Sequence, residues 1–296
     1  MARTLSIAAC QFALRPVGSF AEFAEHARGL LDGARGADLV LFPELFTIEL
    51  FASFPGWREA PLAELARIDE HTEAYRGFFA AEARARRQVI LAGSHLVREA
   101  GRTLNVAHLF EPGGRQHRHA KTHIFPAESA WNGAEGDRLQ AVDLGFARVG
   151  VAICYEAEIP ECAASLAEQG AEIVLCPSFT LTEHGFWRVR HCAQARCVEN
   201  QVFLVHCCAV GRPGAPLPDA WGRSSVLAPC DAGWPADGVL AEAEANREMV
   251  IRAEIDLDRL HENRQGGAAP TFRDRRRRAS LYRAWPSHLR RPEESR

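Results

Sequence analysis

Lysine is almost missing from this 296-residue chain: of 35 basic residues, Lys121 is the one lysine and every other is arginine. Long apolar runs are missing too. None approaches the roughly 18–20 residues that a membrane-spanning helix requires. There is no CxxC pair, and the nine cysteines are odd in number and mostly sit inside apolar runs. That usage excludes a disulfide framework and suits small buried hydrophobes in a reducing compartment, so cytoplasm is the expected location. His191, Cys192, His206, Cys207 and Cys208 carry metal-ligand chemistry without ligand spacing, so packing is the expected role and no metal is implied. A net charge of −3 leaves no general pull toward nucleic acid or anionic membrane. The N-terminal stretch 1–11 lacks a cleavage-site pattern and reads as a first strand, not a signal peptide.

What is present is an alternation of short apolar, β-branched runs with helical stretches. Strands are expected at 5–12, 37–42, 88–97, 103–110, 147–154, 172–176, 201–208, 224–227 and 248–255. Helices are expected at 20–34, 69–87, 160–169 and 183–200. This order predicts an α/β fold with buried, mostly apolar strands. No repeat or linker divides the core. Residues 1–270 read as one domain and 271–296 as an Arg/Pro-rich tail without a domain of its own. The run Arg273-Asp274-Arg275-Arg276-Arg277-Arg278 could form a nucleic-acid arm. The neutral whole and the absence of interleaved aromatics favour a solvated or subunit-contacting tail.

Three places could carry chemistry. An arginine-rich chain can use arginine wherever charge alone is needed, but not where a compact ammonium is wanted. Lys121 lies in His119-Ala120-Lys121-Thr122-His123-Ile124-Phe125-Pro126, a loop-like stretch after the turn Pro112-Gly113-Gly114. A period-two reading of 146–154 sends Gly150, Ala152 and Cys154 to one side, so the thiol ends a row of small residues. A cysteine at a strand-to-helix corner also meets exposed backbone N–H groups, which lower a thiol pKa and can hold an oxyanion. The plain alternative is a buried structural cysteine. Glu44 closes the strand in Phe42-Pro43-Glu44-Leu45-Phe46. Its apolar flanks solvate it poorly and should raise its pKa toward that of a general base; an exposed glutamate at a strand end is the alternative.

Taken together, Phe42-Pro43-Glu44, Lys121-Thr122-His123-Ile124 and Gly150-Val151-Ala152-Ile153-Cys154-Tyr155-Glu156 occur in the order found in the nitrilase superfamily of carbon–nitrogen hydrolases, which the chain resembles. Further similarity lies in Pro160-Glu161, Cys176-Pro177-Ser178 and Arg196-Cys197-Val198-Glu199-Asn200-Gln201. The resemblance spans about 4–260. Two departures are mild: Glu156 stands where many members carry Asp, and Arg196-Cys197 where Arg-Ala is usual.

The resemblance implies an αββα sandwich, two mixed sheets flanked by helices, that pairs with a second copy into four layers, with helix 183–200 at a subunit interface. It implies a Glu44–Lys121–Cys154 triad, hydrolysis of non-peptide C–N bonds through a cysteine thioester, and no metal or organic cofactor. A second catalytic-site glutamate is expected at Glu128, with Glu135 as competitor. Tyr155 would lend a backbone N–H to the oxyanion. Ser178, Phe179 and Thr180 would wall the substrate pocket; the aromatics of the loop 47–57 could join them or pack beneath a long loop, the commoner fate. A small-molecule amidase is the leading expectation. Nitrile hydrolysis, removal of an N-carbamoyl group, acyl transfer to an amine and a non-catalytic scaffold stay open.

Overall fold

The computed structural model describes residues 3–131 and 133–282. Strand β1 (Thr4–Ala13) runs through the middle of the molecule and is buried along nearly its whole length. Helix α1 (Phe20–Gly33) follows, started by Ser19, whose side chain accepts from the Glu22 N–H, and presenting Phe23, Ala27, Leu30 and Leu31 to the core. Next come β2 (Leu39–Leu41), α2 (Thr72–Arg86), β3 (Val89–Glu99), β4 (Arg102–Phe110) and β5 (Gln116–Ala120). The second half carries β6 (Val142–Asp143), β7 (Arg148–Val151), α3 (Pro160–Glu168), β8 (Ile173–Ser178), α4 (Glu183–Asn200) and β9 (Phe203–Val210). The remainder is β10 (Ser225–Leu227), β11 (Val239–Glu242), β12 (Met249–Asp256), α5 (Leu257–Gly266) and α6 (Thr271–Arg277).

The strand order is β5-β4-β3-β2-β1-β9-β8-β7-β6, with β12 antiparallel to β1 and β10 to β9. Inner strands β3, β2 and β1 are parallel, as are β9, β8 and β7. The halves meet where β1 pairs with β9 over two residues, Phe12 with Ala209 and Ala13 with Val210. Alternation places Ile7, Ala9, Leu39, Leu41 and Leu91 of the first half in one core with Val149, Ile173, Leu175, Phe203 and Val205 of the second. The opposite side of the first half, with Ala8, Cys10, Val40 and Ile90, packs against α1 and α2. The result is the expected mixed-sheet α/β sandwich with helices outside, its sheets joined at one seam.

Local expectations are refined in three places. The strand expected over 147–154 stops at Val151, and Cys154 instead opens a 3-10 turn, Cys154–Glu158. The period-two row does not reach the thiol: Gly150 faces Leu166 of α3, whose side chain a Cβ would meet at 2.7 Å. The stretch around Lys121 is a loop as expected from 121 to 125, but His119 and Ala120 before it end the polar strand β5. Of the two fates open to the aromatics of 47–57, packing is the one seen, and the segment is more regular than a loop. It forms a 3-10 helix, Phe46–Ser53, that buries Phe51, and Phe54 packs edge-on beside it under Arg67. Beyond 270, α6 packs along α3 and α4, with Arg276 on Glu168 and Arg275 on Asn200. The Pro-rich part of the tail, 283–296, lies outside the described residues.

Candidate active site

Parallel strands deliver their functional residues at their carboxyl ends, where loops are free to diverge. Glu44 lies just past β2, Cys154 past β7, and Ser178 and Phe179 at the end of β8. Lys121 comes past β5 on the same side of the molecule and completes the group.

Two sharp backbone features hold the glutamate. Leu45 adopts a left-handed φ of 48°, and its N–H donates to Ser94 Oγ at 3.1 Å. Gly93 is required beneath it, because a Cβ there would lie 1.9 Å from the Pro43 carbonyl oxygen. Cys154 is likewise left-handed at φ 46°, a conformation that costs a non-glycine residue on the order of 1–3 kcal/mol and that surrounding structure must impose. Thus the nucleophile candidate sits on a corner, as expected, but the corner is in the backbone of the cysteine itself.

Glu44 is 1% exposed. Its Oε1 accepts from Lys121 Nζ at 2.7 Å and from Asn105 Nδ2 at 2.9 Å, and its Oε2 from the Phe179 N–H at 2.9 Å. Lys121, also 1% exposed, donates to Glu128 as well. Glu128 Oε2 in turn accepts from Asn105 at 3.2 Å. The Cys154 thiol accepts from Ser178 Oγ at 3.3 Å and points at the Phe179 carbonyl 3.7 Å away. Glu44, Lys121, Glu128, Cys154, Ser178 and Phe179 therefore come together. Tyr155 stands beside them, edge-on to Phe125, with its N–H in the first turn of the 3-10 segment, where donors lack intrahelical acceptors. Glu135 is brought elsewhere: it is exposed, and its carboxylate accepts from the Ile124 N–H at 2.9 Å.

Asn105 was not visible from the sequence. Its side-chain amide bridges both glutamates, and its carbonyl accepts the Lys121 N–H at 2.9 Å. The available signal was a lone amide among apolar residues in Leu104-Asn105-Val106, since a fully buried amide needs partners. Glu156, singled out only as a departure, proves to be a staple. It is wholly buried, accepts from the Thr122 N–H at 2.8 Å, Thr122 Oγ1 at 2.6 Å and the Ile153 N–H, and pairs with His119 at 2.8 Å. One carboxylate so joins the residue after Lys121 to the residue before Cys154.

The electrostatics follow from burial and from three charges in contact. Removal from water pushes Glu44 up to about 7; the Glu128 charge adds to that and Lys121 opposes it. Burial works against the Lys121 ammonium, yet Glu44 and Glu128 outweigh it and hold the amine protonated well beyond its ordinary range. Burial, then the Glu44 charge, pushes the Cys154 thiol far up against the pull of Lys121. For Glu156 the burial penalty is overcome by His119 and the Thr122 donors, and its pKa falls. Burial thus favours the neutral thiol, with the Glu44 carboxylate beside it. Around the two glutamates the cleft is walled by Leu45, Phe125, Ala127, Trp131, Phe179 and Leu181. The aromatics of 47–57 are not among these walls.

The sequence profile of the family described as "Carbon-nitrogen hydrolase" matches residues 6–265. "Probable hydrolase YhcX" of Bacillus subtilis is 37% identical over 276 residues, covering 92% of this chain and 53% of that protein. The chain thus spans about half the length of that relative. An "(R)-stereoselective amidase" of a Pseudomonas species is 31% identical, with 77% of this chain and 76% of that protein covered. Among solved structures, a carbon-nitrogen hydrolase from Helicobacter pylori G27 superposes with a TM-score of 0.77 at 24% identity, over 98% of this chain and 99% of that one. That last likeness bears on the fold.

Proposed function

The chain belongs to the carbon–nitrogen hydrolase family, and from that premise we propose that it is an amidase acting on small molecules through a thioester on Cys154. The observation that carries the reading is the meeting of one thiol, one buried carboxylate near pKa 7 and the only lysine ammonium of the chain. Three such groups have no packing reason to share a site, and each alters the reactivity of the others.

In the proposed course, Glu44 takes the Cys154 proton as sulfur attacks the amide carbonyl carbon. A thiol suits this role because its conjugate base is intrinsically nucleophilic. The carbonyl oxygen becomes an oxyanion held by the Lys121 ammonium and the Tyr155 N–H. Glu44 then gives its proton to the nitrogen, the C–N bond breaks, and ammonia or an amine leaves. Water attacks the resulting thioester, Glu44 takes a proton from that water, the C–S bond breaks, and the proton returns to sulfur. Glu128 and Asn105 keep Lys121 and Glu44 in register throughout. None of these steps calls on a metal or organic cofactor. The free state of all nine cysteines suits a reducing compartment such as the cytoplasm. Trp187 and Val198, exposed on α4, suit contact with a second copy.

Ammonia release from a panel of small amides, run beside the matching nitriles and N-carbamoyl compounds, tests the reaction class. Amides should turn over and should leave an acyl adduct on Cys154 that is measurable by mass. Turnover of amides by Cys154→Ala at the wild-type rate would remove the covalent step.

A further inference from the structure

The charges around the cleft are arranged to accept a neutral substrate. Lys121 is spoken for by two carboxylates, Glu44 and Glu128. Beside the wall residue Phe125 stands Arg188 of α4, its guanidinium half exposed and 5.8 Å from the centre of the ring. Arg188 is held in turn by Glu158 Oε2 at 3.4 Å. Glu158 stands four residues beyond Cys154, at the end of the 3-10 turn that begins with the nucleophile. Its backbone is fixed because the buried Arg196 guanidinium donates to the carbonyls of Ala157 and Glu158 at 3.0 and 3.1 Å. The walls themselves are apolar: Phe125, Ala127, Trp131, Phe179 and Leu181. In the cleft itself two carboxylates, Glu44 and Glu128, share one cation, Lys121, and the Arg188–Glu158 pair stands beside its wall residue Phe125. Lys121 and the neighbouring Arg188 each already have an acidic partner. With Glu44 in its base form that buried group is one charge negative, and a carboxylate on the substrate would enter it where repulsion is weakly screened.

We propose that this site takes uncharged amides with an apolar acyl group and rejects amides that carry a free carboxylate, and that Glu158 sets this preference by holding Arg188 away from the substrate. The inference rests on Cys154 being the nucleophile of the proposed amidase and names the class of acyl group it receives.

Iodoacetamide and iodoacetate test it directly, because they differ by little more than one negative charge. Each alkylates a thiol in the same way: sulfur bonds to the CH2 carbon, the C–I bond breaks, iodide leaves, and the thiol proton passes to base. Cys230, exposed and unpaired, supplies a reference in the same tube. Peptide masses taken over time at low salt give the rate ratio of the two reagents at each cysteine. The amide-to-acid ratio at Cys154 should exceed that at Cys230 at least tenfold, and Glu158→Gln should narrow the excess at least threefold. Equal ratios at the two cysteines would overturn the proposal, as would failure of both reagents to modify Cys154. A large excess that Glu158→Gln leaves unmoved would overturn the role of Glu158. These readouts need no turnover, so a protein that alkylates as expected yet hydrolyses no amide would count against the amidase and not against the charge preference.

Discussion

Lys121 is where residue chemistry and composition meet. A guanidinium carries the same charge but is planar, larger and set up for paired contacts, whereas the space between Glu44 and Glu128 holds a single Nζ with both carboxylates on it. In Lys121→Arg the positive charge would survive and its position would not. Losing one oxyanion donor costs about 3–4 kcal/mol of barrier, so kcat should fall several-hundred-fold or more; thermal melting of the same sample checks that the fold persists. Glu44 gives a second test. With its pKa at about 7, the base form is lost as pH falls through neutrality, and kcat/KM should drop about tenfold per unit below about 7. An ordinary carboxylate would leave activity flat to near pH 5. A pH–rate profile separates the two. The sequence motifs made these two residues and Cys154 legible because each motif combines an unusual residue with a distinctive neighbourhood. Asn105 had no such neighbourhood: it is one amide in an apolar strand, and only the position of two distant glutamates shows what it bonds.

At the scale of elements, the site depends on how the ends of β5 and β7 are tied, and Glu156 is the tie. Its pKa is depressed in the folded protein, so its stabilising contribution is complete above the ordinary carboxylate value and fades as pH falls through the lower, folded one. Hydrogen bonds to a charged group contribute about 1.5–3 kcal/mol each. Glu156→Gln should therefore cost about 2 kcal/mol or more at pH 7. The gap to wild type should shrink below pH ~4, and urea titrations at both pH values measure it. The elements themselves were unevenly readable. Helix α4 occupies the span expected of it, because Thr182 caps its start and apolar β9 follows closely. Strand β5, Gln-His-Arg-His-Ala, has no apolar alternation to betray it, and exists because β4 offers its edge. The expected strand through Cys154 failed for a different reason. Ala152 and Ile153 continue the apolar run, but the Glu156 carboxylate captures the Ile153 N–H and turns the chain.

Across the whole molecule, the two halves contribute unequal kinds of chemistry. Glu44, Asn105, Lys121 and Glu128 come from the first half; Cys154, Glu156, Ser178 and Phe179 come from the second. The bonds from Phe179 to Glu44 and from Thr122 to Glu156 cross between them, while β1 and β9 join the two sheets edge to edge through two residue pairs. The layered α/β class was readable from the alternation of apolar runs and helices; the seam was not, since no local pattern announces which parallel strands become neighbours. The near-absence of lysine has a last consequence at this scale. Every side-chain primary amine in the chain reduces to one Nζ, walled in at 1% exposure. Acylating reagents that seek such amines find no side-chain target on the folded surface, and the pace at which Lys121 becomes labelled is a clock for how often the pocket around it breathes open.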